Sequence, residues 1–472
     1  MKYIFIRELQ DLLKDNRIWI FLLVILLITI CSGIVSSLNF RSINSQNQFL
    51  IQNYENNLEE GCKASLGNVS FTDHLALRQI NPNMFLTGDI TSRYPNYTYV
   101  EIAMSFFGSG DLHIPQKTNN SSISSLPFIR YDLLFIVEVL FSFMVIIIAY
   151  NSLSKEKEKK TLSLILSNSI SRTSILIGKI LAYSVISMIS LVLAVIIQLL
   201  VIFSLQIIPV DTSIILSTGY FLLISFLYLF FWIVLSICIS ASVKKSTIAL
   251  TYLIIIWVTI VFIIPSSGRI FLEKWKSDLP TTQELKMKYE QIENDMWEEA
   301  HKNNGGWRGG NLRANAADGH ILEKNFAPVY LHWLDVMDNY QNEVITNQID
   351  QLDFLYDYST ISPSFLYRRI IESINNKGQR EFVENVRLFR KNLMHTIIEL
   401  DKTDNDSFHL YFLPNYMSRK PVDRDLIPSF IEIDRTPANI IHQNIYFIIL
   451  FLGEIFLLFV LSQFIFNKSD VR

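Results

Sequence analysis

Long apolar runs alternate with two large polar stretches along this chain, and that alternation predicts its architecture. Six stretches meet the ~20 residues needed to cross bilayer hydrocarbon: 18–38, 129–150, 176–205, 213–242, 247–267 and 441–466. The third and fourth exceed that length, so they tilt or project beyond the bilayer. The polar stretches occupy 39–128 and 268–440. The expected fold class is an α-helical polytopic membrane protein with six transmembrane helices and a mainly helical extracytoplasmic domain built from both polar inserts.

Other periodicities refine this outline. In residues 1–17, Phe5, Ile6, Leu9, Leu12 and Leu13 share one helical face, with Lys2, Arg7, Glu8, Asp11 and Lys14 elsewhere. That pattern predicts a helix lying on the membrane, or else a plain basic tail. The run at 18–38 is too long for a signal-peptide core and is expected to be retained as the first span. In the first insert, Gln48 to Leu58 has helical character, and Arg93 to Ile102 carries Tyr, Thr and Val at strand-like positions. A Ser/Asn run at 118–125 reads as a lead into the second span. In the second insert, Thr281 with Glu284 makes a capping box ahead of Leu285, Tyr289, Ile292 and Met296. Phe382, Val386, Phe389 and Leu393 repeat that helical spacing, and GGWRGG at 305–310 reads as a loop.

Charge decides the orientation. Lys2, Arg7, Lys14 and Arg17 precede the first run, and Lys155, Lys157, Lys159, Lys160, Arg172 and Lys179 cluster after the second. Lys244 and Lys245 follow the fourth, and Lys468 and Arg472 lie in the tail at 467–472. By the positive-inside rule both termini are cytoplasmic, and both inserts lie on the other side. The whole chain has a net charge of -3, 50% hydrophobic residues and a mean hydropathy of +0.28, which fits spans combined with polar domains and gives no basis for nucleic-acid binding. With Cys62 the lone cysteine of the inserts, packed cores rather than internal disulfides must hold them.

The densest lysine block lies in the loop at 151–175 and the approach to the third span. Glu156-x-Glu158-x-x-Thr161-Leu162 is followed by leucines through Leu166, then Ser171-Arg172 and Gly178-Lys179. This arrangement closely resembles the cytoplasmic loop of ABC-2 type permeases, the membrane subunits of ATP-binding cassette exporters with a type V exporter-like fold. Two departures stand out: Lys160 occupies a position where the family has glycine, and Ile170 one where it often has proline. The inserts also exceed those of compact members, as in a subgroup with an enlarged extracytoplasmic domain.

The resemblance implies that this loop is a coupling helix docking on a separate ATPase chain, with Glu156, Glu158, Thr161, Leu162, Leu166, Arg172, Gly178 and Lys179 carrying the contact. It implies a nucleotide-binding ATPase subunit that itself binds ATP and Mg, and a second permease copy or paralogue. It places the protein in a bacterial cytoplasmic (inner) membrane, among lipids, with a periplasmic or envelope protein as a further partner. The sequence itself has no phosphate-binding G-x-x-x-x-G-K-[ST], so no cofactor is expected in this chain. It also lacks G-x-S-x-G and H-E-x-x-H, and its eight histidines show no metal-ligand spacing. The chain is therefore not expected to be an enzyme by itself.

Two ionisable residues fall inside apolar runs, Glu138 and Glu454. Carboxylates at such depth face protein or water. They read either as a lining of an export path or as partners in interhelical hydrogen bonds. Two functions follow: export of a lipid, peptide, drug or glycan driven by the partner ATPase, or mechanotransduction to an envelope partner through the external domain. A membrane enzyme with its site in the external domain is a third reading.

Overall fold

One helix ties the molecule together. After α1 (Lys2–Leu13), α2 runs unbroken from Asn16 to Ala64, 49 residues, so the first span's helix does not stop near 38 but continues deep into the polar part. Asp15 starts it by accepting the backbone N–H of Arg17 at 3.0 Å, a side-chain cap for an otherwise orphaned donor. The computed structural model describes residues 2–77, 83–87, 99–102, 112–113, 132–167, 171–208, 212–267, 282–303, 327–374, 379–409, 411, 416–431 and 437–468. Thr281, the Ser/Asn run at 118–125 and GGWRGG at 305–310 lie outside the described residues.

Among the described residues, six helices are long and apolar enough to cross a membrane. After the short α4 (Met84–Thr87), the second starts as α5 (Leu133–Phe135), passes through a π-helical stretch (Ile136–Phe141) and ends as α6 (Ser142–Ala149). Two short helices follow, α7 (Ser154–Glu158) and α8 (Thr161–Ser167). The third and fourth spans are α9 (Arg172–Leu205) and α10 (Thr212–Ser242). The fifth is α11 (Ser246–Val258) with a second π-helical stretch (Thr259–Ile263). The last long helix, α16, covers Pro437–Lys468.

The bundle core forms around α10, where Tyr228, Trp232 and Phe221 are fully buried. The first and third spans meet through small side chains. Thr29, Ser32, Gly33, Ser36 and Ser37 are buried at helical spacing on α2, and a Cβ on Gly33 would sit 3.0 Å from Val201 Cγ1 on α9. Close backbone approach of this kind replaces hydrophobic drive where the surroundings are themselves apolar. The outward apolar side chains of α16, including Ile449, Phe456, Leu457 and Phe464, are exposed, as expected of a lipid-facing surface.

The two inserts build one polar lobe with its own core, as the absence of internal disulfides required. The far end of α2 (Tyr54, Leu58, Cys62) packs with α3 (Leu66–Phe71), α12 (Thr282–Asn303), α13 (Ala327–Ser359) and α15 (Gln379–Lys402). Ile292, Met296, Phe382, Val386, Phe389 and Leu393 all enter that core, so the spacings legible in the sequence do mark its inner faces. Strand β1 (His74–Leu77) pairs antiparallel with β2 (Tyr99–Ile102), which pairs with β3 (Leu112–His113). Backbone bonds stitch the inserts together: Leu66 N to Lys420 O (3.1 Å), Gly67 N to Ser418 O (3.2 Å) and Val422 N to Cys62 O (2.9 Å). Arg424 adds a forked pair with Glu55 at 2.9–3.1 Å.

One helix of the second insert does not belong to the lobe core. α14 (Pro363–Glu372) buries Leu366, Tyr367, Ile370 and Ile371 in the core of the membrane bundle. At 10 residues it is about 15 Å long, half the hydrocarbon thickness, so it enters the bundle without crossing it.

Candidate functional site

The loop between the second and third spans is held by polar contacts, buried ones at its start and an exposed one at Glu158. Ser240 Oγ on α10 accepts the backbone N–H groups of Leu153 and Ser154, each at 3.0 Å, which caps the start of α7. Lys157 Nζ donates to the carbonyl of Ala241, and the Glu158 carboxylate accepts Ser246 Oγ at 3.0 Å. Lys160 then takes φ 57°, the left-handed conformation that turns the chain from α7 into α8. That explains the glycine expected at this position, since a side chain there raises the energy by about 1–2 kcal/mol. Leu162 is buried and Leu166 is half-buried against the bundle core.

The centre of the arrangement is Lys179. Its side chain is 3% exposed, and its Nζ lies 2.9 Å from Glu8 Oε2 and 2.9 Å from Glu156 Oε1. Tyr183, one turn further along α9, donates its hydroxyl to Glu8 Oε1 at 3.1 Å. A single ammonium thus joins α1, α7 and α9. A buried lysine needs such partners, because desolvating an unpaired charge costs several kcal/mol. Gly178 is buried beside it, and Arg172 at the helix start donates to the carbonyls of Phe466 (2.6 Å) and Asn467 (2.9 Å) at the end of α16. Cations complement the unpaired carbonyls of a helix C-terminus, so this contact ties the loop to the last span as well.

The residues expected to carry a partner contact therefore divide. Glu156, Lys179 and Gly178 face inward and fix the loop; Thr161 Oγ1 donates back to the Glu156 carbonyl at 3.3 Å. Of the expected residues Glu158 is exposed at the loop's outer surface, beside Lys155, Lys159, Lys160, Ser163 and Ser167. The α1 helix shows the same split: Leu12, Leu9, Phe5 and Glu8 turn toward the protein, while Tyr3, Ile6, Leu13, Arg7 and Lys14 face outward. Sequence periodicity had put Ile6 and Leu13 on the same face as Leu9.

At the other end of the bundle, Glu138 is 1% exposed and accepts three bonds from Arg368 of α14 at 2.7–3.1 Å. Ser364 Oγ adds a fourth at 2.7 Å. Tyr228 OH donates to the Glu138 carbonyl at 2.9 Å, and its ring stacks on Tyr367 at 4.4 Å. Tyr367 OH is 2.8 Å from Ser225 Oγ. The carboxylate is thus satisfied by the protein's own guanidinium. Glu454 differs: it is half-buried on α16, and its Oε2 is shielded from solvent with no hydrogen-bond partner among the described residues. Among the described residues, no hydrogen bond or ion pair joins Glu138 to Glu454.

Arg368 and Glu8 are the residues that sequence reasoning did not single out. Arg368 lies 230 positions from Glu138 on a helix that reads as part of a soluble insert. Glu8 reads as an ordinary charge on an amphipathic helix. A usable hint was the pairing requirement itself: a carboxylate inside an apolar run predicts a cationic partner somewhere.

No curated protein matches the chain. The model for the family described as ABC-2 family transporter protein matches residues 3–471, nearly its whole length. With the spans and the family match in agreement, the chain belongs to the ABC-2 family of transporter proteins.

Proposed function

We propose that the chain is the permease subunit of an ATP-binding cassette exporter, coupling hydrolysis by a separate ATPase to export of a lipid, peptide, drug or glycan. The observation that carries this reading is the Lys179 junction. A loop held rigidly to α1, α9 and α16 from beneath, with lysines exposed on top, suits the transfer of a push from a docked partner to several spans. Exposed charges set register and encounter at such an interface, and buried anchors carry the load. ATP and Mg belong to the partner, and a second permease copy or paralogue completes the pore. Both termini and this loop are cytoplasmic in this reading, and the lobe is extracytoplasmic.

The test is co-purification of a P-loop ATPase with the full chain. Reversing Lys159 and Lys160 to glutamate is expected to release that ATPase or lower its stimulated turnover at least tenfold, with the fold intact. Full retention of both would refute the reading.

The mechanotransducer alternative is favoured by one feature, the Arg368–Glu138 contact that fastens the lobe to the second span. Substrate-stimulated ATPase activity in proteoliposomes supports export. Stimulation by an envelope protein, with no response to any transported compound, supports the transducer.

A further inference from the structure

The described residues contain π-helical stretches at Ile136–Phe141 in the second span and Thr259–Ile263 in the fifth, and α14 docks on both. A π turn inserts one extra residue, rotates everything beyond it, and leaves carbonyls in need of donors. In the second span, the Glu138 carbonyl is satisfied by Ser142 Oγ (2.6 Å) and Tyr228 OH (2.9 Å), while the Glu138 side chain holds Arg368 and Ser364. In the fifth, Ser362 Oγ donates to the Ile260 carbonyl at 2.6 Å. The same Ser362 caps α14, accepting the N–H of Phe365 at 3.4 Å. Donors delivered by one short helix thus sit against both irregular stretches. The far end of α14 is tied to the last span through Asn444 Nδ2 and Ser373 Oγ at 2.6 Å. The helix itself is continuous in sequence with the lobe, where the neighbouring Arg369 pairs with Asp357 at 2.8 Å.

We propose that the Glu138–Arg368 pair is a mechanical joint: it makes the π register of the second and fifth spans depend on the position of α14, and so on the state of the lobe. With α14 seated, both stretches keep their extra residue. With α14 displaced, the donor to Ile260 and the anchor at Glu138 leave together, and both stretches relax toward α-helical register. Each relaxation turns the rest of its span by about 100°, the angle per residue of an α-helix. Arg368 is a positioning residue in this scheme. The inference requires only that lobe and bundle move relative to one another, so it stands whether the chain exports a substrate or transduces force.

The experiment is hydrogen exchange on the full chain in lipid nanodiscs, read separately at residues 136–141 and 259–263. Arg368→Gln and Glu138→Gln are each expected to speed exchange at least tenfold at both stretches. The charge swap, Glu138→Arg with Arg368→Glu, is expected to recover most of the protection. Ser362→Ala leaves the ion pair intact and is expected to loosen 136–141 as well as 259–263, which keeps the inference testable should the charge variants fail to fold. Loosening confined to the mutated stretch, or a swap no better protected than the single variants, overturns it. ATPase activity is not the readout, so failure here is distinguishable from failure of the permease assignment.

Discussion

Lys179→Met removes the ammonium at the junction while keeping an unbranched side chain of similar length. Two carboxylates, Glu8 and Glu156, each lose a contact at 2.9 Å. At an effective dielectric of about 20, each contact is worth roughly 6 kcal/mol in gross Coulomb terms. Most of that is offset by the desolvation of Lys179, which the methionine no longer suffers. Breaking a buried pair from one side typically destabilises by about 3–5 kcal/mol. Here the abandoned carboxylates are 17% and 22% exposed, so they rehydrate in part, and about 2–3 kcal/mol is the better figure. Of the helices joined there, α1 packs mainly on α9. Its backbone protection against hydrogen exchange is expected to fall roughly 30- to 100-fold, at about 1.4 kcal/mol per tenfold, with the lobe unaffected. The triple variant Glu8→Gln, Glu156→Gln, Lys179→Met removes the stranded charges and is expected to recover most of the protection. Unchanged exchange in Lys179→Met, or a triple variant as loose as the single, would show that the ammonium does not hold these helices together.

Two further predictions concern packing and pH. Gly33→Ala places a methyl 3.0 Å from Val201 Cγ1, an overpacking of about 1–3 kcal/mol that lowers the thermal midpoint in detergent; Val201→Ala on the same chain is expected to restore it, and additive losses would refute the contact. His74 is buried in β1 with Nδ1 3.3 Å from Tyr54 OH and Nε2 3.1 Å from the Val69 carbonyl, so the neutral ring donates from Nε2. Burial pushes its pKa down to about 4, below the ~6.5 of an unfolded chain. The stabilising preference for the neutral ring is therefore full above pH 6.5 and is lost as pH falls toward 4, about 3 kcal/mol in all. Denaturant unfolding of the lobe is expected to weaken over that window by more in the native chain than in His74→Gln; identical pH profiles would refute it.

Much of this was legible because hydrocarbon imposes a length and a sign on the sequence. The apolar runs gave the spans, and the regular spacing from Phe382 to Leu393 gave one face of the lobe core. Lys160 shows how a departure from a family pattern turns into geometry: the backbone keeps the left-handed turn even though glycine is gone. What escaped was long-range pairing. Nothing local in Glu8 announces Lys179, and nothing local in Arg368 announces Glu138. The Pro363–Glu372 helix escaped for a different reason: its apolar stripe is as fit for a soluble core as for a membrane bundle, and only the tertiary structure chooses. The π stretches were equally invisible, because no residue type in IVEVLF or TIVFI forbids a regular α-helix.

The unbroken α2 helix has an arithmetic of its own. Its 49 residues span roughly 74 Å at 1.5 Å per residue, more than twice the ~30 Å of hydrocarbon. About 40 Å of rigid rod therefore stands clear of the bilayer, held near its tip by the backbone bond from Val422 N to the Cys62 carbonyl. A tilt of about 5° at the membrane displaces that tip by roughly 3–4 Å, the width of a hydrogen bond plus its donor, over this ~40 Å arm. Movements too small to open a gap between spans are thus large enough to remake contacts in the lobe. The reverse holds as well: a partner that grips the lobe needs only modest force to lean on α1 and the loop at the opposite end.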